Sequence, residues 1–139
     1  MCVSHLAGAE DDSSPLILLV EDDADLARLL MEVLSREIFE GVQAPYQVKR
    51  AVSAEAAKRL LRRTPPVVCI VEHHPPVIDG FTLYDHLCAI YATERIPTLL
   101  IVNDLPQREL AWRQFTSLQK PFDLEHFIQV IQVMIGVRG

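Results

Sequence analysis

A doubly wound α/β domain with one five-stranded parallel sheet is the fold class this sequence predicts, and three observations predict it. Apolar, strand-length runs recur at Pro15–Val20, Val67–Val71 and, with Thr98 as its one polar residue, Pro97–Val102, without the polar alternation that marks a strand open to water on one side. The stretches between them carry apolar residues at helical spacing. Strand and helix alternate five times, which calls for right-handed crossovers and therefore a parallel sheet covered by helices on both faces.

Taken in order, Leu16–Val20 reads as a strand buried on both faces and ends abruptly in Glu21-Asp22-Asp23-Ala24-Asp25. Asp23 or Asp25 caps the helix that follows, whose Leu26, Leu29, Leu30, Val33 and Leu34 repeat at helical intervals. A connection with Gly41 and Pro45 leads to Tyr46–Val52, an alternating and more exposed strand. Ser53 caps a helix over Ala54–Arg63, which Thr64-Pro65-Pro66 stops. The β-branched Val67–Val71 run is the central strand, and Glu72–Gly80 is a loop with turn residues at both ends. Phe81–Tyr91 reads as helix, Pro97–Val102 as the fourth strand and Arg108–Phe115 as a short helix. Ser117–Gln119 is a short strand before Lys120-Pro121, and Asp123 caps a closing amphipathic helix bearing Phe127, Ile128, Ile131 and Ile135.

The chain has 139 residues, half of them apolar, which suits one soluble domain with a continuous core. Its formal net charge of −6 argues against nucleic acid, which wants a basic stripe. Lys49, Arg50, Lys58, Arg59, Arg62 and Arg63 form a local basic region that reads as a solvated helix face. No apolar run is long enough to span a bilayer. Cys2, Cys69 and Cys88 have no metal-ligand spacing, and Cys69 reads as a small core residue. The first residues are acidic rather than leader-like, so the expectation is a reduced, cytoplasmic protein away from membranes. Residues 1–14 are expected to be a flexible acidic tail and residues 15–137 the domain.

Doubly wound sheets place their sites at the carboxyl ends of the strands. Those ends are Glu21-Asp22, Glu72, Val102-Asn103 and Lys120-Pro121. Three carboxylates and one ammonium thus converge on one rim, and such carboxylates must either gain a proton or share a cation. The oxygen-only ligand set of Glu21, Asp22 and Glu72 suits Mg²⁺, and Lys120 offers a point charge to a carboxylate or phosphoryl group. No glycine-rich phosphate loop follows Val20, which excludes a nucleotide- or flavin-binding site there. His73 and His74 read as loop residues, since neighbours on an extended segment point to opposite sides. Asp79 reads as a turn residue bonded to nearby backbone, and Trp112 as a packing residue.

Leu19–Leu26, Val71–Gly80 and Gln119–Phe122 together resemble the three signatures of two-component response-regulator receiver domains, of the chemotaxis-regulator-like kind. The resemblance runs from Pro15 to Val137, and it implies the flavodoxin-like strand order 2-1-3-4-5. In that family an acidic pair after the first strand binds Mg²⁺, and Glu21 and Asp22 match it. An aspartate ending the third strand accepts a phosphoryl group from a histidine of a partner kinase; here Glu72 holds that position. A Thr or Ser ends the fourth strand and a Lys the fifth, both touching the phosphoryl group; here they are Val102 and Lys120. The family's switch aromatic, three residues before the lysine, is replaced by Ser117. The interval from Val102 to Lys120 is short for the family, which implies a truncated fourth helix, and Phe39–Tyr46 carries a small insertion.

The resemblance therefore implies an atypical receiver, a pseudo-receiver whose charged cradle is kept and whose moving parts are replaced. A glutamate reaches one methylene further than aspartate, into the space of the phosphoryl group. In-line attack tolerates little misplacement: about an ångström costs roughly a hundredfold. Glu72 is expected to mimic the phosphorylated state rather than accept phosphate, with Mg²⁺ held weakly. The expected role is phosphorelay signalling by protein association rather than catalysis. The partners implied are a sensor histidine kinase or another signalling protein, with the dimer mode left open. The competing reading is a small Mg²⁺-dependent phosphoryl-transfer enzyme or phosphatase, for which the aspartate nucleophile at the third strand end is missing.

Overall fold

The computed structural model describes residues 14–38, 46–92, 96–104 and 113–136. In chain order these form β1 (Leu16–Val20), α1 (Ala24–Val33) with a π-helical turn at Leu34–Ile38, β2 (Gln47–Ala51), α2 (Ala54–Leu61), β3 (Val68–Glu72), α3 (Gly80–Ile90), β4 (Thr98–Val102), β5 (Thr116–Gln119) and α4 (Leu124–Met134). The strands lie in the order β2-β1-β3-β4-β5, every pair parallel, as the sequence predicts. In register, Val20 stands beside both Ala51 and Val71, Glu72 beside Ile101, and Val102 beside Gln119. The carboxyl ends of β1, β3, β4 and β5 therefore finish on one rim.

Because side chains alternate across a strand, each buried run feeds two cores. Ile17, Leu19, Ile70, Leu99 and Ile101 pack with Ala27 and Leu30 of α1 and with Phe127 and Ile131 of α4. Leu18, Val20, Cys69, Val71, Leu100 and Val102 pack with Ala57 and Leu61 of α2 and with Phe81, Leu83 and Leu87 of α3. Cys69 belongs to the second core, and burial pushes its thiol up to about 12, so it is an inert packing group. The helices begin where short polar side chains satisfy free backbone N–H groups. Asp23 accepts from Asp25 and Leu26, Ser53 from Ala56, Asp79 from Thr82, and Asp123 from His126.

Three boundaries differ from the sequence reading. Glu72 is the last residue of β3 and is paired with β4, so the acid is held by the sheet rather than by the loop. The second helix stops at Leu61, short of Arg63. Arg113–Phe115 is not helical: the Tyr84 hydroxyl bonds both the N–H and the carbonyl of Gln114, and Phe115 turns inward against Phe81 and Tyr84. The remainder of that expected helix, Trp112, the N-terminal tail up to residue 13, Cys2 and the insertion at residues 39–45 lie outside the described residues.

Candidate site at the carboxyl ends of the strands

The register of β1 and β3 decides the site. Val20 pairs with Val71, so one step further Glu21 meets Glu72 across neighbouring strands, whose spacing is about 5 Å. Both side chains are buried. Two ionised carboxylates at that separation and depth repel strongly. Burial beside a second carboxylate favours the protonated form of one of them. Glu21 is that one: its ordinary value of 4.5 is pushed up to about 8, first by burial and then by the bond to Glu72 and its charge. The backbone N–H of Asp23, 3.2 Å from Glu21 Oε2, and the charge of Lys120 oppose the shift only in part.

Glu72 has a cation beside it. Lys120 begins the turn after β5, anchored by its N–H to the Val102 carbonyl at 2.8 Å. From there its ammonium reaches over β4 to Glu72 Oε2. The remaining oxygens, Glu21 Oε1 and Glu72 Oε1, are buried and have no hydrogen-bond partner among the described residues. Outside this buried pair, Asp22 is bound by His74, whose Nδ1 lies 2.8 Å from Asp22 Oδ2. The loop puts His74 there by closing on itself: His74 and Ile78 exchange both backbone hydrogen bonds, and buried Ile78 plugs the turn.

His73 points the other way, as alternation requires. Its Nδ1 accepts from the Gly80 N–H at 3.0 Å, and its ring packs on Phe81 at 4.6 Å between centroids. A side chain at Gly80 would crowd this contact, since an added Cβ falls 3.2 Å from Leu100 Cδ2 and 3.5 Å from His73. That close approach is the physical content of the Asp79-Gly80 pair: the acid caps α3, and the glycine lets the helix start against the sheet.

Val102 is wholly buried and faces the α2–α3 core, with no hydroxyl to offer the rim. Ser117 stands beside Leu100 on the edge strand β5. The sequence reading missed the aromatic that occupies this side of the strand. Phe115, two residues before Ser117, packs on Phe81 and Tyr84, and Arg113 crosses over Phe81 to bond Asp85 through both nitrogens at 2.9 and 2.8 Å. The signal available in sequence was only an aromatic at even spacing from Ser117.

The resemblance implies Mg²⁺ here, and the side chains present fit it poorly. Glu72 is turned to Lys120, Asp22 to His74, and Glu21 to the backbone N–H of Asp23. Among the described residues no three acidic, histidine or cysteine side chains converge as a metal-binding group.

Comparison with known proteins agrees with the fold. No family model matches the chain. The DNA-binding dual master transcriptional regulator RpaA of Synechocystis sp. is 27% identical over 129 residues, which cover 87% of this chain and 49% of the regulator. The chain thus spans about half the length of the curated relative it matches. The chemotaxis response regulator CheY4 of Vibrio cholerae superposes with a TM-score of 0.71 at 18% identity, covering 88% of this chain and 99% of that one. The receiver domain of a sensor histidine kinase from Pseudomonas aeruginosa, with magnesium coordinated in its active-site cleft, gives 0.70 at 23% identity over 89% and 99%. This chain is a doubly wound α/β domain with an acidic strand-end cradle. Within that class, its fold is that of the response-regulator receiver domains.

Proposed function

We propose that residues 15–137 act as a receiver-type signalling module in phosphorelay signal transduction that works by associating with other proteins, with Glu72 standing permanently where a receiver would carry its phosphorylated aspartate. The observation that carries this reading is the ion pair between Glu72 and Lys120. In the family the lysine ending the fifth strand meets the phosphoryl group; here a carboxylate on a longer side chain already meets Lys120. No hydroxyl at Val102 and no aromatic at Ser117 await a new ligand. The cradle is set in one state, and the module's output is what binds to it.

The partner is a sensor histidine kinase or another cytoplasmic signalling protein, or a second copy of the chain, rather than nucleic acid: the net charge of −6 lacks the basic stripe a phosphate backbone requires. Among the described residues no helix is long and apolar enough to cross a membrane. Catalysis of phosphoryl transfer is disfavoured because the only acid at the acceptor position is tied to Lys120, leaving no free nucleophile. Magnesium is at most a weak ligand, since its entry must displace Lys120 from Glu72 or His74 from Asp22.

Incubation with acetyl phosphate and Mg²⁺, followed by intact-protein mass measurement, tests the reading. The expected mass is unchanged, and affinity for a partner kinase domain, measured by calorimetry, is the same with and without acetyl phosphate. A stable gain of one phosphoryl group that is lost in Glu72→Ala overturns it.

A further inference from the structure

The departures from the receiver pattern are not confined to the acceptor. The acidic pair that should face a cation faces side chains of the protein instead. Asp22 is partly shielded and takes Nδ1–H of His74 at 2.8 Å. A carboxylate only accepts, so His74 must be the donor, and it covers the oxygen that a metal would need. Behind it, Glu72 gives one oxygen to Lys120, and Glu21 gives one to the N–H of Asp23. Mg²⁺ demands near-ideal octahedral geometry and one or two carboxylates with their oxygens open to it. None of these three carboxylates has both oxygens open.

Geometry leads to the same conclusion: a side chain of the protein already sits on one oxygen of each acid, Lys120 on Glu72 Oε2 and His74 on Asp22 Oδ2. We propose that His74 and Lys120 take the place of the divalent cation in this chain, so that the strand-end cradle is filled by its own side chains and closed to Mg²⁺. The two groups come from separate elements, the β3–α3 loop and the end of β5. They therefore also tie loop, β1, β3 and β5 together, as a bound metal would.

This goes beyond the signalling role proposed above and does not depend on it, because metal titration needs no partner protein and either reading can fail alone. The probe is Mn²⁺ in place of Mg²⁺, with free Mn²⁺ followed by electron paramagnetic resonance and the melting temperature measured with and without Mg²⁺. Wild type is expected to show no saturable binding and no Mg²⁺-dependent shift of its melting temperature. His74→Ala, at a side chain that is 60% exposed, is expected to bind Mn²⁺ saturably. His74→Ala combined with Lys120→Ala is expected to bind at least about tenfold more tightly, as uncovering a like-charged acidic site should. Should the double variant not fold, the wild type and His74→Ala decide the matter alone. Saturable one-to-one binding by wild type, abolished by Asp22→Asn, overturns the proposal. So does a folded His74→Ala protein that still refuses the metal, because His74 is then not what closes the site.

Discussion

Glu21 is buried against a second glutamate and retains a proton in a pH range where the unfolded chain has lost it. The sign of the consequence follows directly. Its folded value of about 8 stands above its ordinary 4.5, so the folded state binds more protons between those limits. Its contribution to stability is complete below about pH 4.5, falls as pH rises, and is gone above about pH 8. The size is on the order of a few kcal/mol. Glu21→Gln replaces the shared proton with an amide N–H that can still donate to Glu72 but does not titrate. Urea unfolding at pH 5, 7 and 9 should show wild type weakening with pH and Glu21→Gln much less so, with the variant the more stable protein at pH 9. Equal slopes for the two proteins would remove Glu21 as the titrating group.

At the scale of elements, the unusual feature is how β5 is approached. Arg113 is bonded to Asp85, Gln114 to Tyr84, and Phe115 is wedged between Phe81 and Tyr84, so three successive residues fasten the entry of β5 to α3. Arg113 also covers the face of Phe81, whose ring in turn packs on His73, beside Glu72. Phe115→Ala should cost about 1–3 kcal/mol, less than a fully buried phenylalanine because the ring is only half-buried. The loss should be local. Hydrogen exchange at Thr116–Gln119 is expected to accelerate by more than the global destabilisation explains, while exchange in α1 follows the global value. This clamp was hidden in the sequence for a physical reason. Local spacing made Arg113–Phe115 read as the end of a helix, whereas the contacts that decide its conformation come from α3, about 30 residues earlier. The same holds for His74: two adjacent histidines must diverge, but only the closed 74–78 turn selects the one that meets Asp22. By contrast, β1, β3 and β4 were legible because strands buried on both faces are made almost wholly of apolar residues, and three helix starts because Asp23, Ser53 and Asp123 cap them; Asp79, which caps α3, read only as a turn residue. Glu21, Glu72 and Lys120 were legible as a group from topology alone. Their pairing was not, since it depends on register and on where a proton resides.

For the molecule as a whole, the sheet has two cores but one backbone. Ile17 and Leu19 serve the α1–α4 face while Leu18 and Val20 serve the α2–α3 face, and β3 and β4 divide in the same way. Neither face can lose its order while the strands hold the other, because adjacent residues of one strand would have to be both folded and unfolded. The domain should therefore unfold in one cooperative step even when a single face is weakened. Phe127, wholly buried in the α1–α4 core, is the sharpest probe. Phe127→Ala removes its ring and leaves a cavity, costing about 3–5 kcal/mol, a large share of the roughly 5–15 kcal/mol that holds a domain of this size. Leu87→Ala makes the corresponding change on the α2–α3 face at about 2–5 kcal/mol. Each variant should show a single urea transition, with far-UV circular dichroism and methyl resonances from both faces moving together at one lowered midpoint. If the α2–α3 methyls of Phe127→Ala kept the wild-type midpoint while those of the α1–α4 face lost theirs, the two faces would be independent. The cradle at their shared rim could not then be the single, fixed surface that a binding module requires.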